Sequence, residues 1–304
     1  MAAADGQYYP VSEEDSGKRL DIFLTDTLTE IPSRTLIKKL IDNGHVKVNE
    51  EPAKAKYKVA AGDDVYVEIP HNFLTPKYVA PENIDLDVFY EDESLLIINK
   101  PIGMTVHPAK GAHSGTLVNA LLNYSNQLSD VNDANRPGIV HRLDKETSGL
   151  IIVAKDNIAH TKLAKQFQQH KVQKQYVAVV SGVIDRDEGI IDVPLGRHPR
   201  QHDKRTVSYD EFAKDAYTRY RVLKRGKDTS LVALFPKTGR THQLRVHMQY
   251  IKHPILGDEK YYRKGSFERL ALHARMIGFK HPRTGAWVEY CTQVPPVFLD
   301  RIGT

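Results

Sequence analysis

The stretch HRLDKETSGLIIVAKD, residues 141–156, sets the carboxylate of Asp144 among Arg142, Lys145 and Glu146, just ahead of an apolar run. A buried strand accounts for LIIVA but not for so many charges at its mouth. An Asp in such a place is most often a turn or cap residue. It can also be a nucleophile, provided it stays ionised in a partly dry site. Burial would raise its pKa and a neighbouring guanidinium would hold it down. An Asp nucleophile therefore calls for a partner cation. Arg142 and Lys145 are local candidates. Arg240 and Arg245, in PKTGRTHQLRVHM, are distant ones, the first beside a Gly turn and the second on the short helix expected after it. Spacing alone does not choose among them.

Other chemistries are poorly provided for. The chain has neither a Walker phosphate loop nor a dinucleotide GxGxxG. TSGL is not a nucleophile elbow, because no GxSxG is present. His242 and His247 are five residues apart, which misses the i, i+4 spacing of a helical zinc pair. His242 is expected to hydrogen-bond and His247 to line core or groove. A single cysteine, Cys291, excludes a disulfide framework and a cysteine-rich zinc site. No metal and no cofactor are expected. A glycosidase-like hydrolase would need a second carboxylate facing the first. Glu146 is close in sequence but nothing obliges it to face Asp144.

The elements that must position these residues follow from periodicity. Residues 17–70 read as a small α/β module. Leu20, Phe23, Leu24 and Leu28 have helical spacing. Ser33, after Pro32, is placed to cap a second helix that puts Leu36, Ile37, Leu40 and Ile41 on one side. Arg34 and Lys38 share its other side, with Lys39 beside them. Asn43-Gly44 ends that helix. Short strands follow around Val46 and Val48, and around Val65 and Val67. Residues 71–85, with two prolines and no periodicity, read as linker. The remainder, 86–303, holds a hairpin in VFYEDESLLIINKP, a helix in GTLVNALLNY, the LIIVA strand and a helix in IAHTKLAKQFQQH. KQYVAVVSG, EGIIDVP, TRYRVLKR and SLVALFP read as strands, and THQLRVHMQYI as a short helix. Many strands with few helices, and no strict βαβ alternation, argue an α+β fold with a mixed, largely antiparallel sheet.

Charge is unevenly placed. Residues 17–70 carry nine Lys/Arg and nine Asp/Glu, whereas residues 197–245 carry thirteen and five. Such a basic concentration suits a polyanion, although a solvated basic hairpin would look the same. No apolar run nears the roughly 18 residues of a membrane span. The first residues, MAAADGQYYPVSEEDSG, have no signal-peptide pattern. A soluble cytoplasmic protein with no membrane association is expected.

Two resemblances sharpen these readings. GKRLDIFL…SRTLIKKLIDNGHVKVNEEPAK…YKVAAGDDVYV resembles the small RNA-binding domain named for ribosomal small-subunit protein S-four. By position, it implies Arg34, Lys38 and Lys39 as phosphate contacts. HRLDKETSGLIIVAK is similar to the signature of the RluA/RluD family of pseudouridine synthases. IINKPIGMTVHP, KQYVAVVSG and KTGRTHQLRVHMQYIKHPILGD resemble further motifs of that family, in the family's order. The extra N-terminal module makes the chain look most like the RluD branch, which modifies large-subunit ribosomal RNA.

The second resemblance implies Asp144 as nucleophile and Arg245 as its partner. It implies that Tyr176 stacks on the target base and handles the proton at ring carbon 5. At the RNA, Arg142 would fill the stack where the flipped base leaves, and His141 would support that loop. No cofactor would be needed, since the isomerisation involves no redox change. The partner would be ribosomal RNA or its precursor particle, with no protein partner implied and a monomer as the default. The same chemistry on transfer RNA and a non-catalytic RNA-binding protein are the alternatives.

Overall fold

The computed structural model describes residues 6–29, 31, 34–70, 73, 79–108, 114–131, 136–262 and 267–303. The chain divides into two compact units, Met1–Tyr78 and Val79–Thr304.

The first unit contains β1 (Gln7–Pro10), α1 (Leu20–Thr27), α2 (Arg34–Asp42), β2 (Val46–Val48), β3 (Glu51–Pro52) and β4 (Asp64–Val67). The strands form one antiparallel sheet in the order β1-β4-β2-β3. The apolar stripes expected from spacing are the core: Leu20, Phe23 and Leu24 of α1 meet Ile37, Leu40 and Ile41 of α2 and the valines of β2 and β4. Gly44, at φ +80°, ends α2, and the amides of Gly44 and His45 bond back to Ile41 and Leu40. That left-handed position suits glycine. Ser33, the expected cap of α2, lies outside the described residues. β1 begins ahead of residue 17, so the unit is longer than the 17–70 stretch; QYYP offers too short a pattern to announce a strand.

The second unit contains β5 (Val88–Glu91), β6 (Leu95–Lys100), α3 (Leu117–Tyr124), β7 (Ser148–Ala154), α4 (Asn157–Gln168), β8 (Gln173–Ser181) and β9 (Glu188–Asp192). It continues with β10 (Leu195–Arg197), β11 (Arg205–Val207), β12 (Tyr217–Arg225), β13 (Thr229–Pro236) and α5 (Gln243–Tyr250). It ends with β14 (Leu272–Lys280), β15 (Trp287–Cys291) and α6 (Pro296–Ile302). Nine strands make one sheet, ordered β5-β6-β7-β14-β8-β13-β12-β9, with β15 beside β14. Among the described residues only β7 and β14 pair in parallel. The α+β fold with a largely antiparallel mixed sheet is the one expected. Within the stretch read as linker, Ala80 O accepts from the Asn119 side chain of α3, and the Glu82 amide donates to Asn119 O.

β7 is buried throughout, and apolar from Leu150 to Ala154, because both its faces are covered. Leu150 and Ile152 pack with Ala159 and Leu163 of α4, while Ile151 and Val153 pack with Leu117 and Leu121 of α3. Burial of each such side chain stabilises the fold by about 1.5–3 kcal/mol. Gly149 carries φ +112°, and a Cβ there would collide with the Ala274 carbonyl of β14. The missing side chain lets the parallel pair form at the very start of β7. Across the sheet, Gly149 pairs Ala274, Ala274 pairs Tyr176, and Tyr176 pairs Leu234. That row brings Tyr176 beside the loop that feeds β7. Among the described residues no helix is long and apolar enough to cross a membrane.

Candidate active site

The loop 141–147 is pinned from three sides. Leu143 is buried with Leu96, Ile98, Ile151 and Ala274. His141 stacks on Phe167 of α4 with ring centroids 4.5 Å apart, and its Nε2 accepts the Ile152 amide at 2.9 Å. Burial, helped by the Lys174 charge, pushes the His141 pKa down to about 3, so its ring is neutral. Lys100, at the end of β6, is fully buried and donates to the carbonyls of Pro101 at 2.8 Å, Met104 at 2.9 Å and Lys145 at 3.3 Å. Burial pushes its pKa down to about 8, against the opposing pull of Glu146 and Asp144. The residue after Asp144 is thereby strapped to the 101–104 turn. With Leu143 turned inward, Arg142 is exposed and Asp144, 21 % exposed, faces a cleft.

That cleft is open to solvent, has a volume of about 100 Å³ and is lined by Asp144, Arg142, Tyr176, Lys174, Arg240, His242 and Arg245, among others. α5 supplies the far wall. Its entry turn is braced by Gln243, whose side-chain oxygen accepts from Thr238 Oγ1 at 2.7 Å and the Arg240 amide at 3.0 Å. Its side-chain nitrogen donates to Tyr217 O and Thr218 Oγ1 on β12, both at 3.0 Å. So fixed, α5 buries Arg245, which is 6 % exposed. Arg245 Nε and Nη2 donate to the Asp258 carboxylate at 2.8 and 2.6 Å, and Nη1 lies 3.8 Å from Asp144 Oδ2. Burial opposes the charge on Arg245, but the Asp258 bonds and the Asp144 charge outweigh it and raise its pKa. The Tyr261 ring lies 5.2 Å from the same guanidinium. Its phenol oxygen accepts the Arg205 amide at 2.8 Å and sits 2.8 Å from His242 Nδ1.

Tyr176 borders the cleft from β8. Burial, and then the Asp144 charge, raise its pKa well above 10, so the phenol stays protonated near neutral pH. Lys174 lies on the same strand, with its Nζ 3.5 Å from Thr238 O and its pKa pushed down to about 8 by burial.

The structure thus gathers Asp144, Tyr176, Arg245 and Arg142 in one cleft. Among the cations left open by spacing, Arg245 is the one ion-paired with Asp144. His141 lies beneath the loop as a support. Arg34 and Lys38, in the first unit, point to the buried Asp21: Arg34 donates at 3.1 and 2.9 Å, and Lys38 Nζ lies 3.8 Å away. Arg19, which pattern did not single out, grips the same carboxylate with two bonds of 3.0 Å. Lys39 is exposed. Sequence reasoning also missed Asp258, Lys100 and Tyr261. Asp258 and Lys100 stood inside quoted stretches, HPILGD and IINKP, but nothing in their spacing announces a buried acid behind an Arg or a lysine facing only carbonyls.

Comparison with known proteins identifies the family of the chain. The pattern of the family described as RNA pseudouridylate synthase matches residues 94–250, and that of the S4 domain matches residues 18–65. The chain belongs to the RNA pseudouridylate synthase family. As an RNA pseudouridine synthase it is an isomerase. A Bacillus subtilis (strain 168) relative, described as an uncharacterized RNA pseudouridine synthase, YlyB, is 46% identical over 293 residues, covering 96% of this chain and 95% of that protein. A Zymomonas mobilis relative, ribosomal large subunit pseudouridine synthase D, is 41% identical, covering 94% of this chain and 93% of that protein. The solved structure of human RNA pseudouridylate synthase domain containing 1 superposes with a TM-score of 0.59 at 27% identity, covering 76% of this chain and 89% of that one. In this pseudouridine synthase the motifs that carried the resemblance all border the cleft or brace its loops.

Proposed function

We propose that this pseudouridine synthase isomerises uridines of large-subunit ribosomal RNA, with Asp144 as nucleophile acting on a base flipped out of the RNA. The observation that carries the reading is the pairing of Arg245 with Asp144 inside the cleft that Tyr176 borders. The bond from N1 to the ribose must break, the base must turn, and a bond from carbon 5 must form. Carbon 5 loses a proton and N1 gains one. Those atoms are out of reach in stacked RNA, so the base must leave the stack, at a cost of a few kcal/mol. The exposed guanidinium of Arg142 can fill the gap, where stacking contributes about 1–3 kcal/mol. Asp144 can attack the anomeric carbon or the base ring, or start a route through a glycal by removing a sugar proton. A protonated Tyr176 serves as an apolar wall and a hydrogen-bond donor.

The relatives named for the ribosomal large subunit favour that substrate. The S4 domain, with Arg34, Lys38 and Lys39, and the basic segment 197–245 supply charge for an RNA backbone. This substrate implies a cytoplasmic enzyme, taken to act as a monomer. The test is tritium release from rRNA labelled at uridine carbon 5, with wild type and Asp144→Asn side by side. Release by wild type alone supports the reading. Release from transfer RNA and not from rRNA would move the substrate. Release undiminished in Asp144→Asn would remove Asp144 from the role.

A further inference from the structure

Two aromatic rings stand in solvent where burial would be the rule. Tyr209 is 75% and Phe212 is 78% exposed, in the turn that follows β11. Two large rings so open, three residues apart on one turn, offer a contact surface to a partner. The turn is ordered. Asp210 accepts the Ser208 hydroxyl at 2.6 Å and the Phe212 amide at 2.9 Å, and the Ala213 amide bonds back to Asp210 O at 3.0 Å. Its strands are fixed as well. β10 pairs β11 on one side and exchanges two backbone bonds with Lys214 on the other. The rings are therefore held out by a rigid support.

The surroundings indicate what covers them. The β10–β11 hairpin presents Arg197 and Arg200, both exposed, on the same support. Its loop is shaped by His198 Nδ1, which accepts the amides of Arg200 and Gln201 at 3.2 Å each. Two of the nearby carboxylates are already engaged: Asp203 with Lys260 at 2.8 Å, and Asp210 within its turn. Exposed aromatic faces on an element that also carries exposed guanidinium groups are the chemistry that binds unpaired nucleic-acid bases and their phosphates. Protein interfaces also draw on aromatic residues and Arg, so it is the bonds tying this support to the cleft that favour RNA. The support is also tied to the cleft. The Arg205 amide bonds to Tyr261, whose ring faces Arg245, and Arg240 of the cleft wall donates to Asp215 O at 3.0 Å.

We propose that the hairpin and turn 195–214 form a second RNA-contact surface, on which Tyr209 and Phe212 stack unpaired bases of the RNA strand that enters the cleft. This rests on the reading that the substrate is RNA, and adds where and how its single-stranded part is held. Stacking and charge leave different signatures. Loss of a stacking ring lowers affinity without changing its salt dependence, whereas loss of a phosphate contact makes that dependence shallower by about 0.7 in log–log slope for a single strand.

The experiment compares full-length wild type, the double variant Tyr209→Ala with Phe212→Ala, and Arg200→Ala. Each is titrated with an unstructured fluorescent oligoribonucleotide across a potassium chloride series, and thermal unfolding checks that the fold persists. The double variant should bind at least about tenfold more weakly with an unchanged salt slope, and Arg200→Ala should show the shallower slope. A double variant that binds like wild type would overturn the proposal, as it would if the rings served a protein partner. A double variant that weakens only through a shallower slope would also overturn it. If wild type releases tritium from rRNA while the double variant binds normally, only this surface is lost. If wild type neither releases tritium nor binds RNA, the functional reading falls with it.

Discussion

Arg245 gives two nitrogens to Asp258, at 2.8 and 2.6 Å, and presents the third to Asp144 at 3.8 Å. Asp258 is 1 % exposed and also accepts the amides of Lys260 and Tyr261, each at 3.1 Å. The buried acid fixes where the guanidinium stands, and the guanidinium in turn faces the proposed nucleophile without closing on it. Asp258→Asn should therefore act on turnover and stability together. A misplaced partner can cost up to about 100-fold in rate, and breaking a buried pair costs about 3–5 kcal/mol. Single-turnover rates and urea unfolding check this. KM for RNA should stay within a few-fold, because Asp258 cannot reach a substrate. A raised KM with an unchanged rate would contradict the assignment.

Arg245→Lys keeps a positive charge and loses the fork. A lysine ammonium cannot bond two oxygens of Asp258 in parallel and still face Asp144. Most of the tritium-release activity should disappear. A near-normal rate would mean that charge alone suffices and that the pairing geometry has no role.

What the sequence disclosed and what it hid have a common physical cause. Repeating apolar spacing announced α1, α2 and α4, because periodicity is a property of one element facing one core, and the unbroken apolar run of LIIVA announced β7, which is covered on both faces. β14 lies at the centre of the sheet, yet LHARMIGFK mixes His273, Arg275 and Lys280 with apolar residues. Its polar members find partners far away, such as His273 with Ser148 Oγ at 2.8 Å, so tertiary contact and not local pattern made the strand. The site divides in the same way. Asp144 was conspicuous because charge at the mouth of an apolar run is unusual. Asp258, Lys100 and Tyr261 act through partners 13, 45 and 56 residues away, and no local pattern encodes such pairings.

Acid should loosen the fold in a window set by buried histidines. Burial holds His242, His247 and His273 near a pKa of about 4, against 6.5 for a free ring. The unfolded chain then binds more protons than the folded one below pH 6.5, so stability falls as pH drops from there towards 4. His247 is fully buried, so its share alone is up to roughly 3 kcal/mol. Urea midpoints measured from pH 7.5 down to 5 should decline for wild type and decline less for His247→Gln. Parallel curves would refute the assignment.

Lys100 gives the opposite sign at the alkaline end. With a folded pKa near 8 and a free value of 10.5, it releases its proton earlier in the fold than in the unfolded chain. The penalty of burying its charge is fully present below about pH 8 and fades as pH rises towards 10.5. Wild type should therefore gain stability relative to Lys100→Met across that interval, by roughly 3 kcal/mol at most. Lys100→Met should also lose activity at every pH, because the strap on the Asp144 loop is gone. Chemical unfolding at pH 7.5, 9 and 10 tests the first expectation, and the two proteins keeping a constant difference would contradict it.

Asp21 supplies the sharpest test of the S4 domain. Its carboxylate is fully buried, and Arg19, Arg34 and Lys38 converge on it. Burial pushes its pKa up, yet the bonds from Arg19 and Arg34 prevail and hold it below the usual carboxylate range. By net charge alone, Asp21→Asn should strengthen binding to a polyanion. If the acid instead gathers three cations into one phosphate-sized cluster, the same change should weaken RNA binding several-fold, since scattered cations no longer meet one phosphate. The salt slope should become shallower as well, because fewer counterions are released on binding. The variant must first be shown to be folded by thermal unfolding, as the bonds to Asp21 also join α1 to α2. A folded Asp21→Asn protein that binds rRNA more tightly would show that its cations act only through their general field.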